Sequence, residues 1–277
     1  MTAEESRSTF SSSWGTVLTT AGVAIGLGNI WRFPYMMGEY GGAVFLIVYL
    51  GIVIAFALPA LMVEWALGRH TRRGTWGAFQ RAGLPGGRWF SYLLLITVTM
   101  AASYYGVVLA WVFYFAVAFA SSPLTTRLAP DFGLLHANVG AQAACVAVTV
   151  TLGCGALFFG VKRGIERISK LALPVFFLLF AILIVRSLTL DGAMAGLREF
   201  LVPRWGDFTG ATALAALGQA FFSLALGGTF MVIYGSYMRS EENIPKTAVL
   251  TAAADVGAAL MAGLIVVPAA LALGVSL

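Results

Sequence analysis

The sequence predicts an all-α polytopic membrane protein, and three observations carry that prediction. Of its 277 residues, 60% are hydrophobic and only 10% are charged, where an ordinary soluble domain holds about 25% charged residues. Mean hydropathy is +0.88. The apolar residues also come in long runs rather than amphipathic stripes. Residues 43–67 hold a single charge, Glu64, and residues 92–120 hold none. A helix needs about 20 apolar residues to cross a bilayer, so these runs read as membrane spans.

Seven spans follow in order, at about 13–38, 41–68, 89–121, 141–161, 165–187, 212–238 and 246–275. Residues 75–88, punctuated by "GLPGG", read as a loop. Pro123 and Pro130 argue against long helix in 122–140, and "AMAGLREFL" within 188–211 suits a short surface helix. The division expected is a cytoplasmic segment 1–12, a five-helix unit 13–187, an external segment 188–211 and the start of a second unit, 212–277. Cys145 and Cys154 are separated by roughly 13 Å of helix rise, which excludes a disulfide. Both read as small buried hydrophobes.

The net charge of +5 does not indicate a nucleic-acid partner, because the basic residues lie between spans and form no stripe on one surface. Arg7, Arg69, Arg72, Arg73, Arg81, Arg88, Lys162, Arg163, Arg167, Lys170, Arg239 and Lys246 fall at one set of span ends. The alternate set holds Arg127, Arg198 and Arg204, with Arg186 closing a span. The positive-inside rule puts the richer set, and the N-terminus, in the cytoplasm. The polar, acidic first ten residues lead us to expect no cleavable signal.

Two spans are abnormal. The first contains Gly22, Gly26 and Gly28, then Pro34, and the sixth contains the Gly227-Gly228 pair. Glycine-interrupted spans at corresponding places of two halves point to a transporter binding site. Non-helical backbone survives at membrane depth only beside protein or a watered cavity. There, freed carbonyls near Gly22, Ala24 and Ile25 can bind a hard cation such as Na⁺. Amides near Leu27 and Gly28, at the head of the second half-helix, can bind a carboxylate. Asn29 adds a neutral oxygen and Ser223 a hydroxyl.

Plainer readings stand beside these. Gly22 and Gly26 also form a helix-packing motif, and Ser223 alone suits a hydroxyl bonded within its helix. Asn29 and Arg32 are harder to set aside, since intramembrane polar residues are costly, although Arg32 could snorkel outward. Asp255 within the seventh span must be paired, protonated or ion-bound. Glu64 suits a solvated or capping role as well as a functional one, Glu39 suits a loop carboxylate, and Tyr104 and Tyr105 suit interhelical hydrogen bonds.

"SSSWGTVLTTAGVAIGLGNIWRFPY", "EYGGAVFLIVY", "PALMVEWALGR", "KRGIERISKLALP" and "FFSLALGG…YGSY" resemble the neurotransmitter:sodium symporter family, in its bacterial amino-acid branch, from Arg7 to about Pro268. The resemblance implies the leucine-transporter-like fold: two inverted five-helix repeats, then two further helices. This chain is expected to be incomplete against that plan, with seven transmembrane helices and interruptions in helices 1 and 6.

Carried over residue by residue, the resemblance implies a first sodium site of the Ala24 carbonyl, Asn29, Ser223 and Asp255, the last at the place of a helix-7 asparagine. A second would keep the Gly22 and Ile25 carbonyls. The substrate carboxylate would meet the Leu27 and Gly28 amides and the Tyr105 hydroxyl. Ala24, Gly26, Ala101, Phe222, Ser223, Ala225 and Gly228 would line the rest. Phe222 matches an aromatic lid, Arg32 an outer gate, and Arg7 and Tyr237 parts of an inner gate. Gly26 stands where monoamine carriers have an aspartate, which favours an α-amino acid. Small residues at Ala101 and Gly228 imply room for a bulky hydrophobic or aromatic side chain. Tyr49, Gln219 and Ser223 match chloride ligands of chloride-dependent relatives, but the helix-7 hydroxyl place matches Ala259. Asp255 could supply that negative charge, so chloride independence is expected.

The function implied is sodium-coupled import of a neutral amino acid across the inner membrane, with Na⁺ as coupling ion, no cofactor and no enzymatic step. Two rivals belong to other classes: a truncated, non-transporting membrane fragment, and a substrate-gated sensor or ion conductor using the same site.

Overall fold

The structure, a computed structural model, describes residues 8–83, 85–121 and 138–275. Helix α1 (Ser13–Ala24) starts at Ser12, whose hydroxyl accepts from the Gly15 amide at 3.0 Å, the usual satisfaction of an orphan N-terminal donor. It ends at Ile25 in extended backbone. The chain restarts in a π-helical turn, Gly28–Arg32, and continues as α2 (Phe33–Glu39), with Pro34 in its first turn. Pro lacks an amide to donate and suits a first turn. The first span is thus broken where its glycines lie.

Helices α3 (Ala43–Ile52) and α4 (Leu58–Thr71) join through a π-turn, Val53–Ala57. The connector α5 (Thr75–Arg81) leads to the long α6 (Gly87–Ser121). Then come α7 (Val139–Phe158), a π-turn Val161–Glu166 running into α8 (Arg167–Leu188), and the short α9 (Ala193–Leu201). The second broken span is α10 (Gly210–Ser223) and α11 (Phe230–Gly235), with 224–229 between them. Helix α12 (Ile244–Ala272) closes the described fold, with Asn243 as its N-cap. Five continuous helices, at Ala43–Thr71, Gly87–Ser121, Val139–Phe158, Val161–Leu188 and Ile244–Ala272, are long and apolar enough to cross a membrane. With the two broken spans they make the seven that hydropathy predicts.

Helix α12 is the hub. It packs on α1, the Gly28–Arg32 turn, α2, α4, α8 and α9. Phe33, Phe45, Tyr49, Trp65 and Met231 are fully enclosed around it, with the Phe33 and Tyr49 rings 5.3 Å apart. Helices α4 and α11 meet backbone to backbone: a Cβ on Gly235 would lie 2.7 Å from the Trp65 Cα. That contact ties the inner half of the second broken span to α4.

Two expectations change. Residues 75–88 are not simply loop, because Ala78 and Phe79 bury one face of α5 against α6. Nor are the cysteines buried: α7 buries none of its residues, Cys145 is half-buried and Cys154 exposed. A helix that is apolar all round can stand at the rim of a membrane bundle with no protein cover. Hydropathy therefore cannot say which of its faces packs. The proline-bearing segment around Pro123 and Pro130 lies outside the described residues.

Candidate functional site

The break in the first span is built by diverting amides. The Gly26 amide donates to Asn29 Oδ1 at 3.0 Å, the Leu27 amide to Tyr105 Oη at 3.3 Å, and the Asn29 amide to the Gly26 carbonyl at 3.1 Å. In an unbroken helix those three amides would go to the carbonyls of Gly22, Val23 and Ile25. Those carbonyls lose their helical partners. The side chain of Asn29 therefore makes the break from within the sequence, and Tyr105 fixes it from α6.

The same Asn29 reaches across the bundle. Its Nδ2 donates to Ser223 Oγ at 3.1 Å, to the Asp255 carbonyl at 3.0 Å and to Asp255 Oδ1 at 2.8 Å. Ser223 Oγ lies 2.9 and 2.8 Å from the two carboxylate oxygens. Asn29, Ser223 and Asp255 are 0%, 2% and 0% exposed, so α1–α2, α10 and α12 meet in one buried polar cluster. None of the ion pairs among the described residues includes Asp255. A fully buried carboxylate held only by neutral donors is costly, and a monovalent cation would complete it. Which way the Asn29 amide turns is exchangeable by a half rotation, and an oxygen turned inward would serve that cation. Tyr49 lies close to Asp255, and its hydroxyl is buried without a hydrogen-bond partner.

Above the break, Arg32 bonds Gln219 through Nη1 and lies 5.2 Å over the Phe222 ring. Gln219, itself buried, donates to the Gly28 carbonyl at 3.0 Å. Phe222 is half exposed, and a Cβ on Gly28 would lie 2.9 Å from it. A Cβ on Gly26 would lie 2.9 Å from Tyr105 Oη. The glycines thus let an aromatic ring and a phenol approach the backbone at the break.

A profile of the sodium:neurotransmitter symporter family matches residues 7–130 and 133–273. The chain belongs to the sodium:neurotransmitter symporter family. It is 36% identical over 275 residues to YhdH of Bacillus subtilis, described as an uncharacterized sodium-dependent transporter, covering 96% of this chain and 60% of that protein. It is 30% identical over 289 residues to an uncharacterized sodium-dependent transporter of Haemophilus influenzae, covering 99% of this chain and 63% of that one. Among solved structures it superposes on MhsT in complex with L-phenylalanine with a TM-score of 0.87 and 35% identity, over 98% of this chain and 63% of that one. This symporter-family chain therefore spans about 60% of the length of these relatives, and its fold is leucine-transporter-like over the matched part.

Within that fold, Ala24, Asn29, Ser223 and Asp255 lie on the elements that converge at the cluster, and Leu27, Gly26 and Tyr105 come together at the break. Gly22 abuts α8, where a Cβ would lie 3.0 Å from Ser169 Oγ, and Ile25 is half-buried. Ala101 is exposed on α6. Ala225 has φ +51 in the second break. Gly228 faces Phe79 and Leu94, at 3.1 and 3.3 Å from its notional Cβ, and Leu94 lies roughly 10 Å of helix rise from Ala101. At φ +75 Gly228 also has a backbone reason to be glycine. The Tyr237 carbonyl accepts from the Phe10 amide at 3.0 Å, and their rings stack edge-on. Arg7 lies outside the described residues. Two residues escaped the sequence reading of the breaks. Gln219 joins the Gly28 carbonyl to Arg32, and Glu64 Oε1 accepts from both Gly227 and Gly228 amides at 2.8 Å. The signal for Glu64 was its isolation in an otherwise uncharged run.

Proposed function

We propose that the protein is a sodium-coupled symporter that imports a neutral, bulky hydrophobic or aromatic amino acid by alternating access. The observation that carries this is the buried Asn29–Ser223–Asp255 cluster lying directly against a helix break with freed carbonyls. One sodium would be held by the Ala24 carbonyl, Asn29, Ser223 and Asp255, and a second by the Gly22 and Ile25 carbonyls. The substrate carboxylate would bind the Leu27 and Gly28 amides and Tyr105 Oη. Its side chain would lie among Gly26, Ala101, Phe222, Ala225 and Gly228. Because the ion and the carboxylate share one break, each raises the affinity for the other, which is the thermodynamic content of coupling.

Arg32 with Gln219 and Phe222 would close the outer mouth, and Arg7 and Tyr237 the inner one. The bundle of helices 1, 2, 6 and 7 would rock against the rest, with 13–187 and 212–277 belonging to two inverted repeats. The protein would sit in the inner membrane with residues 1–12 in the cytoplasm, as the basic span ends favour. Asp255 supplies a fixed negative charge, so chloride is not required. MhsT, solved with L-phenylalanine, supports an aromatic substrate.

The test is accumulation of radiolabelled phenylalanine in proteoliposomes. Uptake against its gradient that requires an inward Na⁺ gradient supports symport, whereas binding without accumulation refutes it. Tryptophan and tyrosine should compete better than glycine and alanine, and the reverse order refutes the bulky-substrate reading.

A further inference from the structure

Glu64 is the lone charge of the long apolar run at 43–67, and the sodium and substrate sites do not use it. It lies on α4, yet its Oε1 accepts two amides of another span, Gly227 and Gly228, each at 2.8 Å. Those amides belong to the break between α10 and α11. The chain there passes through Ala225 at φ +51, Gly227 at φ +126 and Gly228 at φ +75. A non-glycine residue in the left-handed region is costly, so this loop does not hold its shape by local preference. Successive amides turned to one side form a concavity for an anion. Here the protein fills it with its own carboxylate.

We propose that Glu64 is a positioning residue for transport: its carboxylate fixes the loop 224–229 in the shape that the binding site needs. The inference rests on the symport reading and deepens it. The two breaks are satisfied differently. The first takes a neutral amide side chain, Asn29, and a phenol, Tyr105, and leaves its second half for the substrate carboxylate. The second has its amides occupied by Glu64. A substrate with one carboxylate then has one place to put it, and orientation follows. Gly228 carries a second contact of the same hold, since its notional Cβ would meet Phe79 of α5 and Leu94 of α6. The Thr229 carbonyl, at the loop's end, accepts from Thr75 Oγ1 at 2.9 Å. Glu64, Phe79 and Thr75 thus grip both ends of one short segment. The remaining oxygen, Glu64 Oε2, is buried with no hydrogen-bond partner. A group kept only for folding would be cheaper as a fully paired one.

The experiment uses the purified protein and E64A, E64Q and E64D. Hydrogen exchange is read by peptide, and binding of radiolabelled phenylalanine is measured in sodium. E64A should lose protection in the peptide covering 224–229 while α12 peptides keep theirs, and its Kd for phenylalanine should rise about tenfold or more, the loss expected for two charge-assisted bonds. E64Q keeps an acceptor for both amides and should bind within about threefold of wild type, again by loss of charge alone. E64D, shorter by one methylene, should behave like E64A. Unchanged protection of 224–229 in E64A overturns the assignment, whatever the wild type transports. Loss of protection across the whole bundle in E64A, with E64Q no better, also overturns it, because Glu64 would then serve folding alone. A wild type that shows the local E64A effect yet binds no amino acid supports the hold on the loop and refutes the symport reading.

Discussion

Replacing Asp255 by serine tests the ion site most directly. In the structure both carboxylate oxygens are engaged, by Asn29 Nδ2 at 2.8 Å and by Ser223 Oγ at 2.9 and 2.8 Å, and no cationic side chain pairs with it among the described ion pairs. The substitution removes the fixed charge and leaves one hydroxyl. A carboxylate about 4 Å from a sodium ion, at an effective dielectric of about 20, contributes about 4 kcal/mol. Re-pairing of Asn29 and Ser223 with each other or with water returns about 1 kcal/mol. The net of about 3 kcal/mol corresponds to a rise of roughly 100-fold in half-saturating sodium. Sodium-dependent phenylalanine binding should therefore fall steeply in D255S when gluconate is the anion. Chloride, which can lodge near the unpartnered Tyr49 hydroxyl and Gln219, should restore at least about tenfold of that loss. Wild type should bind equally in both anions. D255S with wild-type sodium affinity in gluconate would refute the assignment of the cation to Asp255. A wild type that requires chloride would refute the claim that the carboxylate does the anion's work.

Other substitutions read other contacts. Tyr105→Phe removes the partner of the Leu27 amide, and the KM for an amino acid should rise about tenfold, one hydrogen bond to a charged group, while an amino alcohol lacking the carboxylate is affected less. Gln219→Leu leaves the Gly28 carbonyl and Arg32 without their shared partner. Dissociation of bound phenylalanine should quicken by about tenfold, since an orphaned buried acceptor costs about 1–3 kcal/mol; an unchanged off-rate would remove Gln219 from the outer gate. Gly235→Ala drives a methyl to 2.7 Å from the Trp65 backbone, and overpacking of about 1–3 kcal/mol should lower the melting point in detergent by several degrees, whereas Gly257→Ala, with open space around it, should leave it unchanged.

Much was legible in the sequence because the bilayer is a severe solvent. A run such as 92–120 has one way to satisfy its backbone in hydrocarbon, so its length fixes a helix. For the same reason a cluster of Gly22, Gly26 and Gly28 beside Asn29 marks a place where that rule is suspended, and the break appears there. Helix connectivity, the interrupted spans and the polar residues worth watching all follow from local composition. What local composition could not supply was which distant group meets each freed amide or carbonyl. Asp255 reaches Asn29, which lies 226 positions earlier, and Glu64 reaches Gly227 across 163. Gly228 read as spare room in a pocket, but it abuts Phe79 from a segment that read as loop. Cys154 read as buried, but stands exposed on a rim helix.

The sequence alone therefore determined the solvent, the spans and the two places where the helix gives way, because those depend on neighbours along the chain. Only the tertiary structure decided what occupies each break. That choice depends on which helices cross at the same depth, and packing across α4, α6, α10 and α12 sets it. Asn29 and Tyr105 hold the first break, and its freed carbonyls lie against Asp255. Glu64 holds the second.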